Sequence, residues 1–388
     1  MKQNKVAREQ QIAVFGESGS GKTVLLSSFY GLALEQELAG TERFDVLAAD
    51  SAQGRRLHQN YLGMKNSASL PMGDRFSATS YAFAIKRKPG LANKSKKNAN
   101  EELRLVWHDY PGEWFQQEPS IPEEAVRRVE TFRGLLGSDV AMVLVDGQRL
   151  LDHAGEEDRY LKSLLTNIST QLLKLRDDLL VDDERLVRFP RIWLMALSKA
   201  DLLPETDVTM FRDLLVEKVG KELNNLQEVL STFVEAPEAL SVGEDFVLLS
   251  SAQFEPEKIE VTKRVGLDLV LPIAAMLPIS RYLPWAQTMK KSAEVAKHLI
   301  GTVAPVSGLL SSAKVVALIG RLPAPIALAA TAMSPLLGKS AVEFATSKVD
   351  DLHVQATENH DFLTETLTGF QMELNRGEDE KVLLRGRV

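Results

Sequence analysis

Gln11-Ile12-Ala13-Val14-Phe15-Gly16-Glu17-Ser18-Gly19-Ser20-Gly21-Lys22-Thr23 decides the fold. Residues 11–15 read as a short buried strand that stops at Gly16. Residues 16–23 fit G-x-x-x-x-G-K-[ST] at every position, and an apolar helical stretch runs from Thr23 to about Leu38. Glycines let backbone N–H groups curl around an anion. Lys22 can reach the β and γ oxygens of a nucleoside triphosphate, Thr23 offers a hydroxyl to Mg²⁺, and the helix points its positive end at the phosphates. Gly16, Ser18, Gly19, Ser20, Gly21, Lys22 and Thr23 are the expected phosphate-binding residues. A chance glycine-rich turn would lack the strand before it and the helix after it.

Outward from this loop, strands and helices alternate. Residues 43–49 read as a strand. Residues 81–88 and 103–108 read as an antiparallel hairpin with a long basic tip that includes Lys94, Lys96 and Lys97. Val140–Val145 is a continuous apolar run of the kind found in strands buried on both faces. Leu161, Leu164, Ile168, Leu172, Leu175 and Leu179 step by three or four, which predicts an amphipathic helix. Residues 192–197 and 246–250 complete the strands, and helices fill 208–234. The pattern predicts an α/β fold: a three-layer, mostly parallel sheet with helices on both faces, followed by an all-α C-terminal domain. The expected division is a tail over 1–10, a nucleotide-binding domain over 11–254 and a helical, apolar and basic domain over 255–388.

Three further motifs leave strand ends in the order a guanine-nucleotide site requires. Asp109-Tyr110-Pro111-Gly112 is D-x-x-G, where the carboxylate can hold Mg²⁺ through water and the Gly112 N–H can meet a γ-phosphate. Ser198-Lys199-Ala200-Asp201 is close to [NT]-K-x-D, with Ser198 in the first place. The Asp201 carboxylate can accept from guanine N1–H and N2–H₂, whereas adenine has no donors there. Ser250-Ser251-Ala252-Gln253 looks like the short loop whose backbone touches the guanine oxygen, which makes Ser251 and Ala252 candidates. Thr79, just before a strand, is a candidate Mg²⁺ ligand alongside Thr23 and Asp109, with Ser77 and Ser80 as competitors. His108 and His153 have no companions at ligand spacing.

Together these motifs resemble the TRAFAC class of P-loop GTPases, across about residues 11–253. Asp109-Tyr110-Pro111-Gly112-Glu113-Trp114 is similar to the YcjX-type bacterial stress-associated GTPases and, more loosely, to GTPase-like proteins of bacterial conflict systems. The resemblance implies a GTP/GDP-binding, Mg²⁺-dependent hydrolase with nucleotide contacts on Gly16 to Thr23, Asp109, Gly112, Lys199 and Asp201. Lys22, Gly112 and Glu113 are the expected catalytic residues. Glu113 stands where many small GTPases carry glutamine. A carboxylate there can hold water but repels phosphate, so slow intrinsic hydrolysis is expected, faster on assembly or with a partner.

The 388 residues carry 46 basic and 53 acidic side chains, a net charge of −7, which argues against a broadly basic nucleic-acid binder. Cysteine is absent, which excludes disulfides, zinc-thiolate sites and thiol nucleophiles. The polar first ten residues contain no apolar signal core, and a cytoplasmic location is expected. Residues 264–348 hold nine Lys/Arg and three acids, with uncharged runs at 269–280, 299–313 and 322–338. A packed helical domain, peripheral contact with an anionic membrane at its inner face and a membrane span all remain open for this stretch. Residues 342–375 are amphipathic and fit a helix that pairs with another. The readings to be separated are a GTP-hydrolysing switch with a protein partner or self-assembly, an ATPase or nucleotide-stabilised scaffold, and a membrane-acting effector.

Overall fold

The computed structural model of the protein describes residues 8–39, 44–71, 79–87, 103–115, 119, 121–255, 258–288, 292–310 and 357–386. In chain order the elements are β1 (Arg8–Phe15), α1 (Lys22–Ala39), β2 (Phe44–Ala48), α2 (Ser51–Ser67), β3 (Thr79–Arg87), β4 (Leu103–Asp109), α3 (Pro122–Leu135), β5 (Val140–Asp146), α4 (Gly147–Asp152), α5 (Glu157–Lys174), α6 (Arg176–Leu179), β6 (Ile192–Ser198), α7 (Val208–Phe233), β7 (Ser241–Leu249), β8 (Gln253–Glu255), β9 (Lys258–Glu260), α8 (Val270–Thr288), α9 (Ala293–Leu310), α10 (Thr357–Asp379) and β10 (Leu383–Leu384).

The eight-stranded sheet runs β10-β7-β6-β5-β1-β4-β3-β2. Strands β4, β1, β5, β6 and β7 are mutually parallel, and β3, β2 and β10 add antiparallel pairs at the edges. The apolar runs of β5 and β6 are buried at every position because they lie mid-sheet with both faces covered. One face packs Ile12 and Val14 against α1, α8, α9 and α10; the other packs Ala13 and Phe15 against α3, α5 and α7. The three-layer α/β architecture is therefore as expected.

Four details differ from the sequence reading. β1 begins at Arg8, so residues 8–10 are strand and not tail: Arg8 pairs with Leu103 and Gln10 with Leu105. Their polarity hid the strand, although Gln10 is buried. The helix expected through Leu179 breaks at Leu175 into α5 and α6. β7 is longer than expected and starts at Ser241. Beyond 254 the chain is largely helical but not purely so. β8 and β9 form a hairpin, and β10 completes the main sheet against β7.

The described part of 255–388 shares the core of the sheet. α8 is the one helix, among the described residues, long and apolar enough to cross a membrane, yet 82% of that window is buried inside the molecule. Its Arg281 pairs with Asp245 at 2.7 Å, both within 2% of full burial. Arg281 also donates to the Gly386 carbonyl, and Tyr282 donates to the Asp139 carbonyl. The run 269–280 is thus core helix. The run 322–338, most of the basic hairpin tip and Ser77 lie outside the described residues, as does the part of 342–375 before α10.

A small third core closes over the start of α1. Tyr61 and Met64 of α2 meet Ala252, Ile259 and Val261, with Val24 packed against them. This ties the helix after the phosphate loop to the hairpin that follows β7.

Candidate functional site

Gly16 to Thr23 connect the carboxyl end of β1, at mid-sheet, to the N-terminus of α1. Gly19 and Gly21 take φ values of 82° and 91°, which side chains with a Cβ rarely adopt, and so turn the loop. Lys22 folds back over it and donates to the carbonyls of Gly16 at 2.7 Å and Glu17 at 3.1 Å. Its ammonium also lies 5.2 Å from the centre of the Tyr110 ring. Burial pulls its pKa down from 10.5 to about 8, against the opposing pull of Asp109, Glu113 and Glu17.

The D-x-x-G segment leaves β4, the strand beside β1, and lands on this loop. Thr23 donates to Asp109 at 3.3 Å. Burial raises the Asp109 pKa, and the nearby Lys22 charge opposes that rise. Thr79 is paired directly opposite Asp109 in the β3–β4 ladder, so the two side chains share a sheet face. Tyr110 is buried, its ring in contact with those of Phe15 and Phe132, and its hydroxyl accepts the Gly16 N–H at 2.9 Å. Gly112 is pressed against the loop: a Cβ there would come within 2.3 Å of the Ser18 nitrogen and 2.7 Å of the Glu17 oxygen. Ser18 Oγ donates to Glu113 Oε1 at 2.7 Å. Trp114 is buried beneath the Arg128 guanidinium, which also donates to the Trp114 carbonyl.

The residues fit a small hard cation. Asp109 Oδ1 is buried without a hydrogen-bond partner, while the Thr23 hydroxyl stands beside Oδ2. Among the described residues no three His, Cys, Asp or Glu gather as a metal cluster. Mg²⁺ here would take the rest of its coordination from phosphate oxygens and water, as this ion commonly does.

Two more strand ends complete the rim. Lys199, at φ 55°, turns its ammonium onto Asp146 at the end of β5, 2.8 Å away. Asp201 Oδ1 accepts from Ser250 Oγ at 2.6 Å and Oδ2 from the Phe254 N–H at 3.3 Å. The Ser250 hydroxyl thus supports Asp201, while the neighbouring Ser251 Oγ is buried without a hydrogen-bond partner. Ala252 is fully buried, with its carbonyl 2.7 Å from Ser250 Oγ.

Sequence reasoning missed Tyr110 as a support of the loop, Asp146 as the partner of Lys199, and Arg149. Arg149 of α4 pairs with Glu17 at 2.8 Å and stacks over Tyr160. These contacts link the phosphate loop to the end of β5, and that in turn to Lys199. The loops after β1, β4, β5, β6 and β7 thus meet along the carboxyl edge of the sheet, where open α/β folds bind ligands.

The fold and these converging loops make the chain a P-loop GTPase in class. Residues 10–242, more than half of the sequence, match the Double-GTPase 2 family, and the chain belongs to it. No curated protein matches it. Among solved structures it is similar to the putative nucleolar GTP-binding protein 1 of Plasmodium falciparum, at 11% identity over 70% of this chain and 88% of that one, with a TM-score of 0.30. It is also similar to the signal recognition particle receptor SRb-GTP/SRX complex of Chaetomium thermophilum, at 16% identity over 63% and 91% of the two chains, with a TM-score of 0.30. These likenesses are too distant to bear on what this chain does.

Proposed function

We propose that the protein binds guanine nucleotides with Mg²⁺ and hydrolyses GTP slowly, as a switch whose state reaches the helical C-terminal region or a partner. The observation that carries this reading is the direct contact between the phosphate loop and the D-x-x-G segment, through Thr23–Asp109, Gly16–Tyr110 and Ser18–Glu113. The loop backbone from Gly16 to Thr23 and the Lys22 ammonium hold the phosphates. Thr23, Asp109 and Thr79 hold Mg²⁺, which offsets phosphate charge. Asp201, oriented by Ser250, accepts from the guanine edge, Lys199 lines the base, and Ser251 and Ala252 form the loop beside it. In hydrolysis a water oxygen bonds to the γ-phosphorus and the bond to the β–γ bridging oxygen breaks, giving GDP and phosphate. Gly112 would offer its N–H to the γ-phosphate and Glu113 would position the water.

Slow hydrolysis follows from charge. Glu113 is an anion beside an anionic substrate, and Arg149 on the same rim is paired with Glu17. The YcjX-type likeness rests on residues 109–114, and a cytoplasmic site of action is part of the same proposal. Titration calorimetry with GDP, GTP and ATP in Mg²⁺, paired with phosphate release, tests the reading. Guanine preference that Asp201→Asn relaxes supports it; equal ATP and GTP binding by the unmutated chain overturns the guanine assignment.

A further inference from the structure

Glu113 has a place in the structure that orienting a water molecule does not explain. Its Oε1 accepts from the hydroxyl of Ser18, the third residue of the phosphate loop, at 2.7 Å. Gly112, one residue before, lies so close to the Ser18 nitrogen that no Cβ would fit between them. The carboxylate is therefore drawn down onto the mouth of the loop. It also stands near enough to Lys22 to help keep that buried ammonium charged, together with Asp109. A terminal phosphate makes the same demands as this carboxylate: anionic oxygens, a hydroxyl donor and an ammonium. Two anions cannot share those partners without strong repulsion.

We propose that Glu113, held by Ser18, determines which phosphate chain the loop accepts: a nucleoside diphosphate binds to the loop as it stands, and a triphosphate must first displace the Glu113 carboxylate. This rests on the nucleotide-binding reading above and deepens it. Displacing Glu113 also moves its neighbours. Gly112 must leave the Ser18 nitrogen, and Trp114 must shift beneath Arg128, whose guanidinium lies 5.6 Å from its ring. The carboxylate is thus a specificity determinant whose removal from the loop signals the third phosphate.

The test is calorimetric titration of the full chain with GDP and with the non-hydrolysable analogue GppNHp in Mg²⁺. Glu113→Gln keeps an acceptor for Ser18 but removes the charge; Ser18→Ala keeps the charge but removes the hydrogen bond. The wild-type chain is expected to favour the diphosphate. Linked equilibria of this kind typically span about 5–150-fold, so Glu113→Gln should raise the triphosphate-to-diphosphate affinity ratio by about tenfold or more. Ser18→Ala should move the ratio the same way by less, and Trp114 emission should change with GppNHp more than with GDP. An unchanged ratio in Glu113→Gln overturns the proposal, as does a parallel loss of both affinities. If Glu113→Gln fails to fold, an unchanged ratio in Ser18→Ala overturns it. A chain that prefers adenine nucleotides overturns the guanine reading alone, because the same ratio with ADP and AppNHp still decides the role of Glu113. A chain that binds no nucleotide overturns both.

Discussion

Arg149 lies 2.8 Å from the carboxylate of Glu17, and this ion pair joins the helix after β5 to the second residue of the phosphate loop. Glu17 is an awkward residue there, since its side chain is only 8% exposed and its charge sits beside the place of the phosphates. The guanidinium removes that conflict.

Arg149→Ala should leave the Glu17 carboxylate buried and unopposed. Breaking a buried pair costs about 3–5 kcal/mol, and because Arg149 is itself 36% exposed, about 1–3 kcal/mol is expected here. Thermal unfolding should shift down and GDP affinity should fall, with Glu17→Gln in the same chain restoring most of both. A double variant no better than the single one would show that the pair does not matter to the loop.

Lys22 makes nucleotide affinity depend on pH. Its pKa in the folded chain is about 8, well below 10.5, because it is buried. Bound phosphates favour the charged form, so the lysine titrates higher in the complex. Between the two values binding takes up a proton, and affinity falls as pH rises, by up to about tenfold per pH unit. Below the lower value the effect vanishes. In the nucleotide-free chain the sign is reversed: the unfolded state holds the proton that the folded state rejects, so stability rises between the folded and unfolded pKa values. GDP titrations in buffers of different ionisation heat measure the proton count directly. Affinity that stays flat well above the folded pKa, with no proton uptake, would count against Lys22 as a phosphate ligand.

Gly112→Ala cannot be accommodated without parting the two loops, since its Cβ would meet backbone atoms of Glu17 and Ser18. Forced overpacking of this kind costs about 1–3 kcal/mol. Trp114 emission should change, and phosphate release should drop by more than GDP affinity does. Wild-type turnover in this variant would mean that the contact with Ser18 has no part in the reaction.

Asp245→Ala removes the main partner of the Arg281 guanidinium inside the molecule. Glu244 and the Gly386 carbonyl still touch that group, so the loss should fall toward the lower end of the roughly 3–5 kcal/mol seen for broken buried pairs. Replacing both residues, Arg281→Met with Asp245→Leu, should recover most of the stability in a denaturant titration. If the double variant is as weak as the single one, packing and not charge holds α8 in place.

The phosphate loop was legible because its chemistry is local: eight consecutive residues carry the glycines, the lysine and the hydroxyl. β5 and β6 were legible because burial on both faces writes itself as an unbroken apolar run. What stayed hidden depends on partners far apart in the chain. Tyr110 reaches Gly16 across 94 positions, Lys199 reaches Asp146 across 53, and Ser250 reaches Asp201 across 49. Only the order of strands in the sheet brings these together, and no spacing rule within one motif records it. β10 escaped because Leu383–Leu384 is too short for any alternation to show.

That short strand has a consequence for how the protein is made. Gly386 and Asp245, which it brings into contact, are 141 positions apart. At about 5–20 residues per second, a ribosome that has just finished β7 needs on the order of ten seconds to deliver the residues that close it. Through that interval the nascent sheet presents β7 as an open template for pairing, and Asp245 has no guanidinium until α8 emerges. Chaperone contact during translation, or an abundance that drops when residues 383–386 are altered, would be the cellular trace of a border that is sealed last.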